Sequence, residues 1–314
     1  MAKGGTCVAV PRTVASRGAF RGTRHREMSI EWYPGHMNKA RREIAEALPS
    51  KDVLIEVLDA RMPAASTNPV VSALAGNKPR IKVLNKSDLA DPEITKAWIR
   101  HFESQTSAGK VVAIAISRSH PAETRARIPE LCKRLAPRRT GPGKSVRAMV
   151  VGIPNVGKST LINTLMERKV TRVADEPAVT KHQQLITLKS GMTLSDNPGI
   201  LWPRMDEAAT LRLALGGAIP DTAMDYESVA LFAAQFLLLR YPRLLRARFD
   251  LTDEPSTAAD VLRAIAQRHG CLRAGGVVDT YKAADILVHE FRAGKLGRIS
   301  LEAPDDEREA TPAT

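Results

Sequence analysis

The chain has 314 residues and 47 Lys and Arg against 34 Asp and Glu, a formal net charge of +13. The length fits about two domains, the 43% hydrophobic content excludes a disordered chain, and no apolar run reaches the roughly 18 residues needed to cross a bilayer. Cys7, Cys132 and Cys271 form no CxxC pair, which excludes a zinc ribbon and a disulfide framework and fits a reducing compartment.

Residues 1–26 hold six cations and no acid, without the apolar core of a secretory signal. A flexible basic arm, an organelle transit peptide, or sequence upstream of a start at Met28 all fit. We read 1–28 as a disordered or spurious extension, because ordered-looking sequence begins just after Met28. Residues 36–48 follow as an amphipathic helix, with Met37, Ala40, Ile44 and Leu48 at helical spacing. Strands are predicted at 53–58, 81–84 and 111–116, with helices at 94–102 and ending at 128–135. The Pro/Gly-rich basic stretch 136–145 is a linker by composition. A strand at 146–151 and a helix at 158–168 come next, then a hairpin of 185–188 and 192–194 around Ser190 and Gly191. This alternation predicts an α/β domain over 29–203, a mostly parallel sheet flanked by helices. From 204 onward, apolar residues recur at helical spacing through 207–219, 226–240, 257–269 and 279–293, which predicts a small all-α domain over 204–300. Residues 301–314 read as an acidic disordered tail.

The segment GIPNVGKST at 152–160 matches G-x-x-x-x-G-K-[ST] between a strand and a helix. Its backbone amides and the helix N-terminus suit a phosphate chain. The cradle is Gly152, Asn155, Val156, Gly157, Lys158, Ser159 and Thr160, with Lys158 on the β- and γ-phosphates and Ser159 on Mg²⁺. Downstream, DNPG at 196–199 places Asp196 near Mg²⁺ through water and the Gly199 amide at the γ-phosphate. Thr180, between the two, is the natural switch-loop ligand for Mg²⁺. Asn85-Lys86-Ser87-Asp88 follows a strand. The Asp88 carboxylate can accept from guanine N1–H and the 2-amino group, a pair adenine does not offer. Asn85 is placed on the base edge and Lys86 packs its stem on the ring. Ser117 and Arg118, after the next strand, are candidates for a backbone-mediated guanine contact.

The order of these loops is informative. Asn85 precedes Gly152 by 67 residues, and nothing after Gly199 resembles NKxD. Either NKSD is a coincidence or the domain is circularly permuted. Permutation is compatible with a parallel sheet, because all the loops still meet at the C-terminal edge of its strands.

WYPGHMNKA at 32–40, DARMP at 59–63, NKSD at 85–88, GIPNVGKST at 152–160, PAVTKHQQ at 177–184 and DNPGILWP at 196–203 together resemble the circularly permuted GTPases of the ribosome biogenesis GTPase A type. The resemblance covers about residues 30–300. It implies a P-loop GTPase acting late in large-subunit assembly, with a C-terminal helical domain on ribosomal RNA. The compartment is then the cytoplasm, or the mitochondrion for a eukaryotic source with 1–27 as a transit peptide. Two departures stand out: Asn197 where the family usually has Thr, and Ala178 where it usually has Gly. Where many GTPases carry a water-orienting Gln, this chain has Ile200, so the isolated protein is expected to hydrolyse GTP slowly. The resemblance implies that His36 acts instead, beside Lys158 and Gly199, with a packing or capping role for His36 as the alternative. It also implies a K⁺ ligand at Asn155 and the large subunit as activator. No membrane is expected, and nothing demands more than a monomer.

An ATP-dependent kinase, a GTP-regulated RNA-binding module and a small-subunit assembly GTPase are the competing readings. The last usually brings a cysteine-rich zinc module, which this chain lacks. The charge is unevenly spread: +6 on 1–26, +7 on 27–145, +3 on 146–199 and −3 on 200–314. A basic surface near the linker and local cation clusters in the helical part, including Arg240, Arg243, Arg246 and Arg248, are therefore the expected RNA-facing regions, with plain solubility as the bland alternative for the basic balance.

Overall fold

A computed structural model describes residues 34–105, 109–167, 184–202, 205–251, 254–273 and 277–306. The expected extension 1–28, the switch-loop Thr180 and the last eight residues lie outside the described residues.

Helix α1 (Pro34–Ala47) leads into β1 (Val53–Asp59), a strand buried along its whole length. Then come α2 (Pro63–Ser66), α3 (Pro69–Ala75), β2 (Arg80–Asn85), α4 (Pro92–Ser104), β3 (Val111–Ala115) and α5 (Pro121–Leu135). After the linker, β4 (Arg147–Val151), α6 (Lys158–Met166), β5 (Gln184–Thr187) and β6 (Thr193–Asp196) complete a six-stranded sheet. Its order is β3-β2-β1-β4-β6-β5, parallel except for the antiparallel pair of β5 with β6. Strands covered on both faces read as continuous apolar runs, which is why β1, β2 and β4 were legible. Among the exceptions are Glu56, in the middle of β1, and its register partner Lys82 in β2, which neutralise each other at 3.0 Å.

The short helices α2 and α3 were not anticipated, although Asn68 carries the signal for α3. Its side chain accepts from the amides of Val70 and Val71, with Pro69 at the first helical position. Asp91 caps α4 the same way. The linker crosses the N-terminal edge of the sheet, opposite the candidate site. There Arg139 and Arg147 converge on Asp52, just before β1.

The C-terminal region is helical: α7 (Glu207–Leu215), α8 (Tyr226–Arg240), α9 (Pro242–Phe249), α10 (Ala258–Arg268) and α11 (Thr280–Arg292). Helix α9 was missed because only Leu245 and Phe249 of its eight residues are buried. One hydrophobic cluster runs from Val53, Ile55 and Val150 of the sheet to Leu213, Val229 and Leu287 of these helices. The helical region thus shares its core with the α/β region.

The acidic tail does not begin at 301. Leu301 and Glu302 are buried, and they strap back onto the α/β region. The Glu302 carboxylate accepts from the Ala65 amide at 3.0 Å, and its carbonyl accepts from Trp98 Nε1 at 3.2 Å. The run of acids after 301 masked an anchor made by one leucine and one doubly bonded glutamate.

Candidate nucleotide-binding site

Parallel pairing brings the ends of β4, β1, β2 and β6 to one edge, so the loops that follow them converge despite their chain order. The P-loop turns at Gly157, whose φ of +96° is in the left-handed region and where a Cβ would collide with Asn85 Nδ2. Asn85 Nδ2 in turn donates to Val156 O at 2.7 Å. The NKSD loop is therefore tied directly to the phosphate loop, which makes the permuted order a single site. Gly157→Ala is expected to destabilise the protein by about 1–3 kcal/mol and to pry these loops apart. A lowered melting temperature with weakened GDP binding checks this; wild-type behaviour in both contradicts it.

Lys158, at the head of α6, is buried and donates to Ile153 O at 2.7 Å. Burial pushes its ammonium down to about 8, opposed by the charge of Asp196. Burial likewise pushes the Asp196 carboxyl up to about 6, opposed by Lys158. Both Asp196 oxygens are buried and no side chain among the described residues donates to them; the Asn197 amide is their backbone neighbour. A buried carboxylate beside the P-loop lysine fits Mg²⁺, which takes one or two protein oxygens and completes its shell with phosphate and water. Among the described residues no cluster of three or more His, Cys, Asp or Glu offers an all-protein metal cage. Gly199 lies against the P-loop: a Cβ there would come within 2.8 Å of both Lys158 Nζ and Pro154 N. Asn197, which stands where the family usually has Thr, is fully buried and donates to Val150 O at 3.2 Å, fastening the loop to β4.

Ser87 joins the two loops expected to hold the base. Its hydroxyl and its amide both donate to Ile116 O, at 2.9 and 3.1 Å. Asp88 and Arg118 are exposed at this edge, while the Ser117 hydroxyl is engaged with Ser119. A cleft of about 310 Å³ opens here, lined in part by Asp88, Ser117, His120 and Arg298. The Lys86 ammonium donates to Asp59 at 2.8 Å, so the head group is drawn away and the stem is left as a shelf.

Asn155, at a left-handed φ of +57°, donates through Nδ2 to Gly217 O at 2.8 Å, a contact to the helical region that spacing did not suggest. Asn68 was missed as well; it donates to Ile200 O at 2.9 Å and pins the segment after DNPG. Ile200 is buried in a cluster that includes Ala40 and Ile44 of α1 and Leu48 just after it. The helix that carries His36 in its first turn thus lies on the same side of the sheet as Ile200. The His36 side chain is outside the described residues.

The 50S ribosome-binding GTPase family model matches residues 147–227. Ribosome biogenesis GTPase A of Bacillus pumilus is 40% identical over 88% of this chain and 100% of its own length. The protein of the same name from Thermotoga maritima is 33% identical over 88% of this chain and 95% of its own. Mitochondrial ribosome-associated GTPase 1 of Bos taurus is 31% identical over 86% and 88%. Among solved structures, GNP-bound YlqF from T. maritima superposes with a TM-score of 0.57 at 26% identity, covering 85% of this chain and 99% of that one. The chain belongs to the ribosome biogenesis GTPase A family.

Proposed function

We propose that the protein binds and hydrolyses GTP during late maturation of the large ribosomal subunit, and that the maturing subunit stimulates hydrolysis and so drives release. The observation that carries this is the Asn85 bond to Val156 O, which joins a guanine-selective loop to a phosphate loop in the permuted order of the family. The kinase reading requires NKSD to be accidental, and the contact of this loop with the P-loop favours the GTPase reading over it. GTP would order the switch segment around Thr180, and hydrolysis would release it.

Lys158 and Gly199 face the γ-phosphate in this reading, Ser159, Thr180 and Asp196 serve Mg²⁺, and Asn85, Lys86, Asp88, Ser117 and Arg118 serve the base. Ile200 has no group that could orient water, so that part falls to His36, which can act as a neutral imidazole. A K⁺ ion held by Asn155 would supply positive charge to the transition state; its ligand atom would be Oδ1, the amide's acceptor, while Nδ2 donates to Gly217 O. The protein works as a monomer in the compartment that assembles the subunit, the cytoplasm or the mitochondrion.

The test is the GTPase rate alone, with purified large subunits and with small subunits, each in K⁺ and in Na⁺. Stimulation by the large subunit only, stronger in K⁺, is expected. Absence of stimulation by the large subunit overturns the assignment, and stimulation by the small subunit alone transfers it there. His36→Ala is expected to bind GTP normally and to lose about 100-fold of the stimulated rate. An unchanged stimulated rate returns His36 to a packing role.

A further inference from the structure

The turn at the end of β1 holds a concentration of buried charge that nucleotide contact does not explain. Asp59 and Arg61 are 0% and 2% exposed. Arg61 grips the carboxylate with both arms, Nε to Oδ1 at 3.0 Å and Nη2 to Oδ2 at 2.8 Å. Lys86 Nζ, from the guanine loop, donates to the same Oδ2 at 2.8 Å. The Ala60 amide donates to Asn85 O at 2.8 Å, so this turn lies directly under the loop. Burial alone would raise the Asp59 carboxyl, but the two cations hold it well below the ordinary carboxylate range, and it stays charged.

The same residues are held from behind by the helical region. Arg61 Nη2 donates to Gly216 O at 3.3 Å, and its guanidinium lies 5.0 Å from the centre of the Phe291 ring. The Leu301 amide donates to Arg61 O at 2.7 Å. Just past Asp88, the Ile299 amide donates to Leu89 O at 2.9 Å, and the Asp91 amide donates to Ser300 Oγ at 3.1 Å. The guanine loop is therefore braced from α7, from α11 and from the strap at 299–301. A buried ion pair adds little net stability, but it specifies geometry. Lys86 needs that support, because its backbone sits at a φ of +59° while its stem must lie flat under a base.

We infer that Arg61 is a positioning residue for guanine recognition: it holds Lys86 through Asp59 and is itself held by the C-terminal helical region, so displacing that region loosens the base. The inference rests on reading Asn85 to Asp88 as the guanine loop. A partner that pulls on the helical region would then speed nucleotide release from the base side, leaving the phosphate cradle intact.

The test uses the full chain and fluorescent GDP, with GDP and Mg²⁺-pyrophosphate as competitors. Arg61→Met is expected to speed GDP release about tenfold and to leave pyrophosphate competition within about twofold of wild type. Unchanged GDP release overturns the inference, as does an equal loss for GDP and pyrophosphate, which is what a purely structural pair would give. Should Arg61→Met fail to fold, the double variant Asp59→Asn with Arg61→Met removes both charges together, and the same outcomes apply to it. Phe291→Leu keeps an apolar side chain but removes the ring under the guanidinium, and is expected to speed GDP release at least about threefold; no change removes the helical region from the mechanism. If Asp88→Asn leaves base preference unchanged, the guanine-loop reading itself fails. If it shifts base preference and Arg61→Met does nothing, only the present inference falls.

Discussion

Lys158→Ala is expected to raise the Kd for GTP and GDP at least about 1000-fold, equivalent to about 4 kcal/mol. The lysine is the only cation of the P-loop, and it is buried, where a charge-assisted contact to phosphate is strongest. The loss will not come from unfolding. Burial lowers this ammonium to about 8 in the empty protein, so its charge costs stability at neutral pH. Between about pH 8 and the ordinary lysine value, the unfolded chain binds the proton and the native state does not, so stability rises with pH there. Removing the group removes that cost, and the melting temperature of the empty variant is expected to stay within a few degrees of wild type. The same shift predicts how binding follows pH. Phosphate favours the charged amine, so GDP binding takes up a proton above about pH 8, and affinity falls as pH rises further. Calorimetry in buffers of different ionisation enthalpy measures the uptake. Retention of near-native GDP affinity by Lys158→Ala would show that these glycines and this lysine form an ordinary turn.

Asp88→Asn is expected to weaken GDP about 100-fold or more and to favour XDP over GDP. The carboxylate accepts two hydrogen bonds from guanine, each worth about 1.5–3 kcal/mol because the acceptor is charged. The amide keeps one acceptor and turns a donor toward the 2-amino group, which is itself a donor. Xanthine carries an oxygen at that position beside its N1–H, and so matches the amide's donor and acceptor. Asp88 is exposed, so the substitution does not disturb the core. Competition of GDP, XDP and ADP against fluorescent GDP measures the switch, and an unchanged order of preference would remove Asp88 from base recognition.

Much of the site was legible because its chemistry is local. A P-loop needs glycines and a lysine at fixed spacing, and guanine selection needs a carboxylate two residues past a lysine. The order of Asn85 and Gly152, with no NKxD after Gly199, pointed to permutation. Strands such as Val53–Asp59 and Arg147–Val151 announced themselves as apolar runs because parallel sheets are covered on both faces. Less legible were elements whose stability comes from a neighbour. Helix α2 is a single four-residue turn and α9 buries only Leu245 and Phe249, so neither carries a periodicity strong enough to read. Leu301 and Glu302 looked like the start of a charged tail, because one leucine carries no pattern.

The sequence by itself determined the loop motifs, the alternation of strands and helices, and the family, since each is written in residue types at short separations. Only the tertiary structure decided how those loops are supported. Arg61 meets Gly216 across 155 residues, Asn155 meets Gly217 across 62, and Trp98 meets Glu302 across 204. These are hydrogen bonds to backbone carbonyls, which every residue carries, so no residue type marks the partner. They exist because one core joins the sheet to the helices and brings the ends of distant elements within reach.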